Sequence, residues 1–311
     1  MPLSDVTTAV FVAALWGFNF VAMKVGVDAM PPFLLASLRF VPVLVVLAAL
    51  RPPLPARWHH VLGIGVALGT LMFTFLYLGI AAGMPAGLAS VVVQSQAMFT
   101  LLLSAIVTAR RPGGMQLVGI AVASGGLALA ARATAMDTTL PGFLLVLAAA
   151  FAWATANLLI ARAQARNMLH LMLWMSVVPP VPLALLSFLL EGPEAMMDAL
   201  VGIDAAGVLS LLYLGLASTV LAYSLWAMLL RRHPAHVVAP FSLLVPFFGL
   251  ASTALFLGEE VGAADLGAFA AVLAGLALLS FPDRLRRLAA WNRPGGGAAT
   301  GDRRRDLGTG A

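Results

Sequence analysis

The chain has 311 residues, 61% of them hydrophobic and only 10% charged, with a formal net charge of +5. A mean hydropathy of +0.99 means more apolar surface than a soluble core of this size can hide, so a water-soluble globular protein is excluded and an integral membrane protein is indicated. Cysteine is absent, which removes disulfide frameworks, thiol nucleophiles and thiolate metal sites.

A helix that crosses a bilayer needs roughly 20 mostly apolar residues. Runs of about that size recur between short polar or proline-marked breaks and predict ten spans: 6–27, 33–50, 61–82, 86–108, 115–131, 140–161, 170–190, 205–230, 236–257 and 263–281. The first contains "LWGFNFVAMKVG", which holds Trp16, Asn19 and the chain's only lysine, Lys24. Its N-terminal flank carries Asp5 and no Lys or Arg, so it reads as a retained helix rather than a cleaved leader. The second holds Arg39, about six residues in, roughly 9 Å at helical rise.

The fourth span contains "VVVQSQAMFT", where a two-residue spacing puts Gln94 and Gln96 on nearly opposite faces of an α-helix, so at most one should face a given cavity. Gln96 continues into a polar stripe with Thr100 and Ser104. The sixth span pairs Trp153 with Asn157, as the first pairs Trp16 with Asn19. Tyr77, Tyr223, Trp174 and Trp226 read as packing or interface residues. Gly63, Gly119, Ala123, Gly267, Ala271 and Gly275 read as sites of close helix approach. His233 and His236 flank a turn and are expected in a solvated loop, while residues 283–311, rich in Gly and Arg, are expected to be a disordered basic tail.

Loop charge sets the expected orientation, because Lys and Arg are retained on the cytoplasmic side. With the N-terminus inside, the inner loops hold Arg51, Arg57, Arg110, Arg111, Arg162, Arg166, Arg231 and Arg232, followed by the basic tail, and the outer loops hold only Arg132. Both termini are therefore expected in the cytoplasm, and the basic balance reports orientation rather than nucleic-acid binding.

A shift of 149 residues lays 84–129 on 233–278 without a gap, with twelve of 46 positions identical. Pro-Ala opens both blocks, Gly-Leu-Ala-Leu ends both, and Arg110-Arg111 falls opposite Glu259-Glu260. Five spans per copy means that the second copy, 136–282, enters the membrane upside down relative to the first, 1–135. The fold class expected is thus an all-α membrane protein of ten helices in two inverted five-helix repeats. Such repeats suit carriers that rock around one midplane site.

The stretches "LWGFNFVAMKVGVDAMPPFLLASLRF", "GMPAGLASVVVQSQAMFTLLL" and "APFSLLVPFFGLASTALFLGEE" resemble the EamA-type transporters of the drug/metabolite transporter superfamily, and within it the bacterial exporters of O-acetylserine and cysteine. The likeness runs from about residue 8 to 280. It implies two EamA repeats in the inner membrane, alternating access and efflux of a small metabolite, with no cofactor. One departure is visible: the family often places a Gly-Glu-Arg-like turn after the fourth helix, where this chain has Ala109, Arg110 and Arg111.

Lys24 and Arg39 are the two cations within expected spans, and no Asp or Glu falls clearly within a span to pair with them. One reading makes them partners for a substrate carboxylate; the other has them snorkel to headgroups or bond helix-end carbonyls. Asn19, Trp16, Gln94, Gln96, Thr100, Asn157 and Trp153 complete the candidate substrate site, with interhelical bonding as the competing role for each polar group. Exporters of other metabolites or amphipathic drugs, and channels, remain alternatives. A membrane-embedded enzyme would need a catalytic group at depth, and no HExxH, GxSxG or clustered intramembrane acid is found.

Overall fold

Apolar runs without water to bond must satisfy their backbone internally, and helices are how a single segment does so. In the computed structural model, which describes residues 1–109, 111–137, 140–233 and 235–280, every regular element is a helix. Arg110 and the expected tail lie outside the described residues, as does the side chain of Arg132. In chain order the elements are α1 (Leu3–Ala29), α2 (Pro32–Leu50), α3 (Trp58–Ala81), α4 (Ala86–Thr108), α5 (Gly114–Asp137), α6 (Leu140–Ala163), α7 (Met168–Glu191), α8 (Pro193–Val201), α9 (Ala205–Arg232), α10 (Phe241–Leu257) and α11 (Ala263–Ser280).

Among the described residues, seven of these are long and apolar enough to cross a membrane: α1 to α4, α6, α7 and α9. Three shorter apolar stretches, Gly114–Ala130, Phe241–Leu257 and Ala263–Leu278, lie in α5, α10 and α11. The protein is an all-α, multi-pass membrane protein. The expected span 236–257 is broken: Ala235–Val238 is followed by a 3₁₀ segment, Ala239–Leu244, and then by Val245–Leu257. Both later pieces carry a proline in their first two positions, where a missing N–H is tolerated.

Other helices are interrupted too. In α2, Pro42 cannot donate to the carbonyl of Leu38, and the helix breaks at Arg39-Phe40 between Pro32–Leu38 and Val41–Leu50. Wider π segments lie in α3 (Gly65–Met72), α7 (Ser187–Glu191) and α9 (Tyr213–Leu221), and a 3₁₀ turn, Val93–Ser95, lies in α4.

The packing is reciprocal. Helix α1 lies against α9 and α10, while α6 lies against α3 and α4; α2 pairs with α7 and α5 with α11. The α5–α11 contact needs small residues: a Cβ on Gly275 would sit 2.6 Å from the backbone nitrogen of Ala123 and 2.7 Å from the carbonyl oxygen of Gly119. At the end of the bundle where α1 begins, Asp5 accepts from Arg232 Nη1 at 3.1 Å and pairs with His233 Nε2 at 2.6 Å. His233 is therefore not the solvated loop residue expected; the end of α9 lands beside the start of α1, a neighbour more than 200 residues away in sequence.

Candidate functional site

All but one of these interruptions, the π segment Ser187–Glu191 of α7, contribute residues to one place. A cavity of about 140 Å³ lies between the two halves of the chain, walled by α1, α2, α3 and α4 of the first and by α6, α7, α9 and the start of α10 of the second. Aromatic, methionine and aliphatic side chains form most of the wall. Set into it are Arg39, Asn19, Gln94, Gln96, Ser218 and Thr219.

Arg39 sits at the break in α2. Its side chain is 1% exposed and lies in the cavity wall. Nη1 donates to the Tyr77 hydroxyl at 2.7 Å; Nη2 donates to the Leu214 carbonyl at 3.1 Å and to Thr219 Oγ1 at 3.3 Å. The guanidinium carbon stands 3.8 Å from the centroid of the Phe73 ring, a cation–π contact. Its Nε is buried without a partner, and among the described residues no carboxylate lies within ion-pair distance. Leu214 and Thr219 both belong to the π segment of α9, where residues five apart come to nearly the same face, and Thr219 Oγ1 donates to the Leu214 carbonyl at 2.9 Å.

Asn19 presents a buried Oδ1 with no partner at the same cavity. Trp16 is pinned beside it, its Nε1 donating to the Ser218 carbonyl at 3.1 Å and its ring centred 5.2 Å from both Tyr223 and Trp226. Trp153 also lines the cavity.

Gln94 and Gln96 both line it, against the expectation that at most one would. The 3₁₀ turn Val93–Ser95 is the reason: at 3.0 residues per turn, positions two apart diverge by only about 120°, instead of about 160° in an α-helix.

Asn157 and Thr100 are not in the wall. Asn157 Nδ2 donates to Gln96 Oε1 at 2.7 Å and to Thr100 Oγ1 at 3.1 Å, so α6 and α4 are joined here and the Gln96 amide is held in place. The two Trp/Asn pairs that match in sequence thus differ: Asn19 faces the cavity and Asn157 bonds across helices.

Lys24 is not in the wall either. It pairs with Asp28, one helical turn on and one residue past the expected end of the first span, with side chains 36% and 58% exposed. The view of Lys24 as a cation without a protein partner is corrected by that pair. Reasoning from sequence also passed over Tyr77, Tyr223, Ser218 and Thr219, the first two as packing residues; no local signal marks the π segment that turns Thr219 inward. Among the described residues no group of His, Cys, Asp and Glu could hold a metal ion.

A multi-pass helical protein with a central, partly polar cavity between two halves is a transporter-like arrangement, and comparison with known proteins settles the family. The model of the EamA-like transporter family matches residues 4–132 and again 140–281. The chain belongs to that family. It is 41% identical over 299 residues to the "Probable amino-acid metabolite efflux pump" of Salmonella typhimurium, covering 93% of this chain and 99% of the relative. It is 39% identical over 298 residues to the protein of the same name in Escherichia coli K12, covering 92% and 98%. A solved crystal structure, 20% identical, superposes with a TM-score of 0.63 over 91% of this chain and 99% of its own, a likeness of fold. This EamA-like protein is a membrane transporter and not an enzyme. The relatives' names do not single out O-acetylserine or cysteine, so the resemblance holds at the level of the family.

Proposed function

We propose that this protein exports small carboxylate-bearing metabolites, amino acids or their derivatives, across a bacterial inner membrane by alternating access. The observation that carries the substrate class is Arg39: a buried guanidinium in the cavity wall, bonded only to neutral acceptors. A buried charge without a counterion is costly, and a substrate carboxylate would supply one on each cycle. Asn19, with its free acceptor, suits an ammonium or hydroxyl donor on the same molecule. Trp16, Trp153, Gln94 and Gln96 complete the surface it meets, with Asn157 and Thr100 steadying Gln96. Lys24, paired with Asp28 on its own helix, lies outside that surface.

The proposed frame is ten spans in two inverted repeats, 1–135 and 136–282, with both termini cytoplasmic. Reciprocal packing supports it, as do two family matches, one per half. So does the recurrence of interruptions under the 149-residue shift: the π segment Gly65–Met72 answers to Tyr213–Leu221, and the 3₁₀ turn Val93–Ser95 falls within the counterpart of Ala239–Leu244. Cysteine and O-acetylserine are the substrates to try first. The largely apolar wall favours a second reading, in which amphipathic drugs are the cargo.

Counterflow in proteoliposomes tests the proposal. Preloaded unlabelled cysteine, O-acetylserine or another amino acid should accelerate labelled uptake, which an open pore would not do. If no carboxylate-bearing compound does so with folded protein, the substrate class is wrong.

A further inference from the structure

The contact between α4 and α10 differs at the two ends of the cavity. At the end where α1 stops and α4 begins, the outer end under the proposed orientation, Ala86–Val92 of α4 packs along Val245–Leu257 of α10 and against α1. The seam is close: a Cβ on Gly249 would lie 2.3 Å from Ser90 Oγ, one on Gly87 would lie 2.4 Å from Thr253 Oγ1, and one on Gly17 would lie 2.4 Å from Phe248 Cβ. The inner part of α4, Gln96–Thr108, packs on α6 instead and makes no comparable seam with α10 among the described residues.

A carboxylate locks the outer seam. After α10 the chain turns at Gly258, whose φ of 67° aims the next residue back over the seam. Glu259 Oε1 then accepts from the Ala86 backbone N–H and Oε2 from that of Gly87, both at 2.8 Å. A charged acceptor on two free N–H groups at a helix start is a strong hydrogen-bonding arrangement. It joins the second half, which donates Glu259, to the first half, which carries α4. A Cβ at position 87 would also meet Glu259 Oε2 at 2.9 Å, so the glycine leaves room for the carboxylate.

The first half carries no carboxylate at the position that would make the reciprocal α4–α10 contact; Asp5, its acid at the inner end, joins α1 to Arg232 and His233 of α9 instead. The 149-residue shift sets an arginine, Arg110, opposite Glu259 in sequence, and no Asp or Glu occurs between Asp28 and Asp137. Glu191 forms a similar cap, accepting from the Phe33 and Leu34 backbone N–H groups at 2.7 and 3.2 Å. It joins α7 to α2, however, and those helices pack along both Pro180–Leu186 with Pro32–Leu38 and Met168–Met175 with Val41–Leu50. It is therefore a fixed cap, not one that must open.

We infer that Glu259 is the latch of the outer gate: it positions α4 against α10, releases once per transport cycle, and biases the resting protein toward the state open to the cytoplasm, because the inner ion pair of Asp5 with Arg232 and His233 joins α1 to α9 and no carboxylate ties α4 to α10 there among the described residues. This rests on the alternating-access reading above. For an exporter the bias is useful, since the empty cavity waits on the side where substrate is loaded.

The absence of cysteine makes spin labelling direct. Labels at A81C with G262C report the outer end, and labels at T108C with R231C the inner end; all four positions are exposed. Distance distributions would be measured in Glu259, E259Q and E259A backgrounds, with E191Q as control and monodispersity and thermal melting as the check on folding. Expected: E259A lengthens the outer and shortens the inner distance, raising the outward-open fraction about tenfold; E259Q does so less; E191Q leaves both unchanged. Unchanged distances in folded E259A and E259Q, while an added carboxylate substrate moves the two pairs in opposite directions, would overturn the latch alone. If the two pairs never move in opposition, with substrate or in any variant, both the latch and the alternating-access reading fail.

Discussion

Arg39 and Lys24 look alike in the sequence: each is a cation in an apolar run, near the same end of neighbouring helices. In the structure Arg39 is 1% exposed, faces the cavity and has no carboxylate partner among the described residues, whereas Lys24 is half-exposed and paired within its own helix to Asp28. The difference teaches that depth along a span does not decide a cation's role. What differs between the two is the helix beneath the cation. Pro42 interrupts α2 at Arg39, while α1 runs unbroken past Lys24 to Ala29.

The sharpest way to break this comparison is to remove each charge and measure counterflow. R39A should lower transport efficiency for carboxylate-bearing substrates about 10–100-fold, the worth of a charged hydrogen bond, and affect an uncharged amide analogue far less. R39K keeps the charge but loses the planar fork that reaches Tyr77 and Thr219 together, so it should fall between wild type and R39A. Equal losses for charged and amide substrates would mean that Arg39 only braces the fold.

Next in size is a test of packing alone. G275L forces a branched side chain into the contact with Ala123 and Gly119, and should cost about 1–3 kcal/mol, read as a lower melting temperature in detergent. Smaller again, N157L removes two interhelical hydrogen bonds averaging about 0.6 kcal/mol each, and should weaken transport modestly by freeing Gln96. The smallest effect is reserved for Lys24: K24A and D28A break a solvent-screened pair and should leave transport within about twofold of wild type. A tenfold loss in K24A would put Lys24 back on the substrate path.

The candidate site was legible in part. Trp16, Asn19, Arg39, Gln94, Gln96 and Trp153 were all named from sequence and all line the cavity, because a polar or amphipathic group deep in an apolar run usually faces protein or a cavity. Thr219, Tyr77 and the Leu214 carbonyl were not legible as a group. They meet at Arg39 across more than 130 residues of chain, and only the π segment of α9 brings Leu214 and Thr219 to one face.

By itself, the sequence determined the class of protein, the approximate limits of most apolar helices, the likeness of 84–129 to 233–278 and the residues with chemistry to offer. These follow from composition and spacing, which act along one chain segment at a time. The tertiary structure alone decided which polar groups share the cavity, which bond to one another and where α4 packs on α10. Each depends on helix rotation, and a single 3₁₀ or π turn resets that rotation without leaving a mark in the apolar pattern.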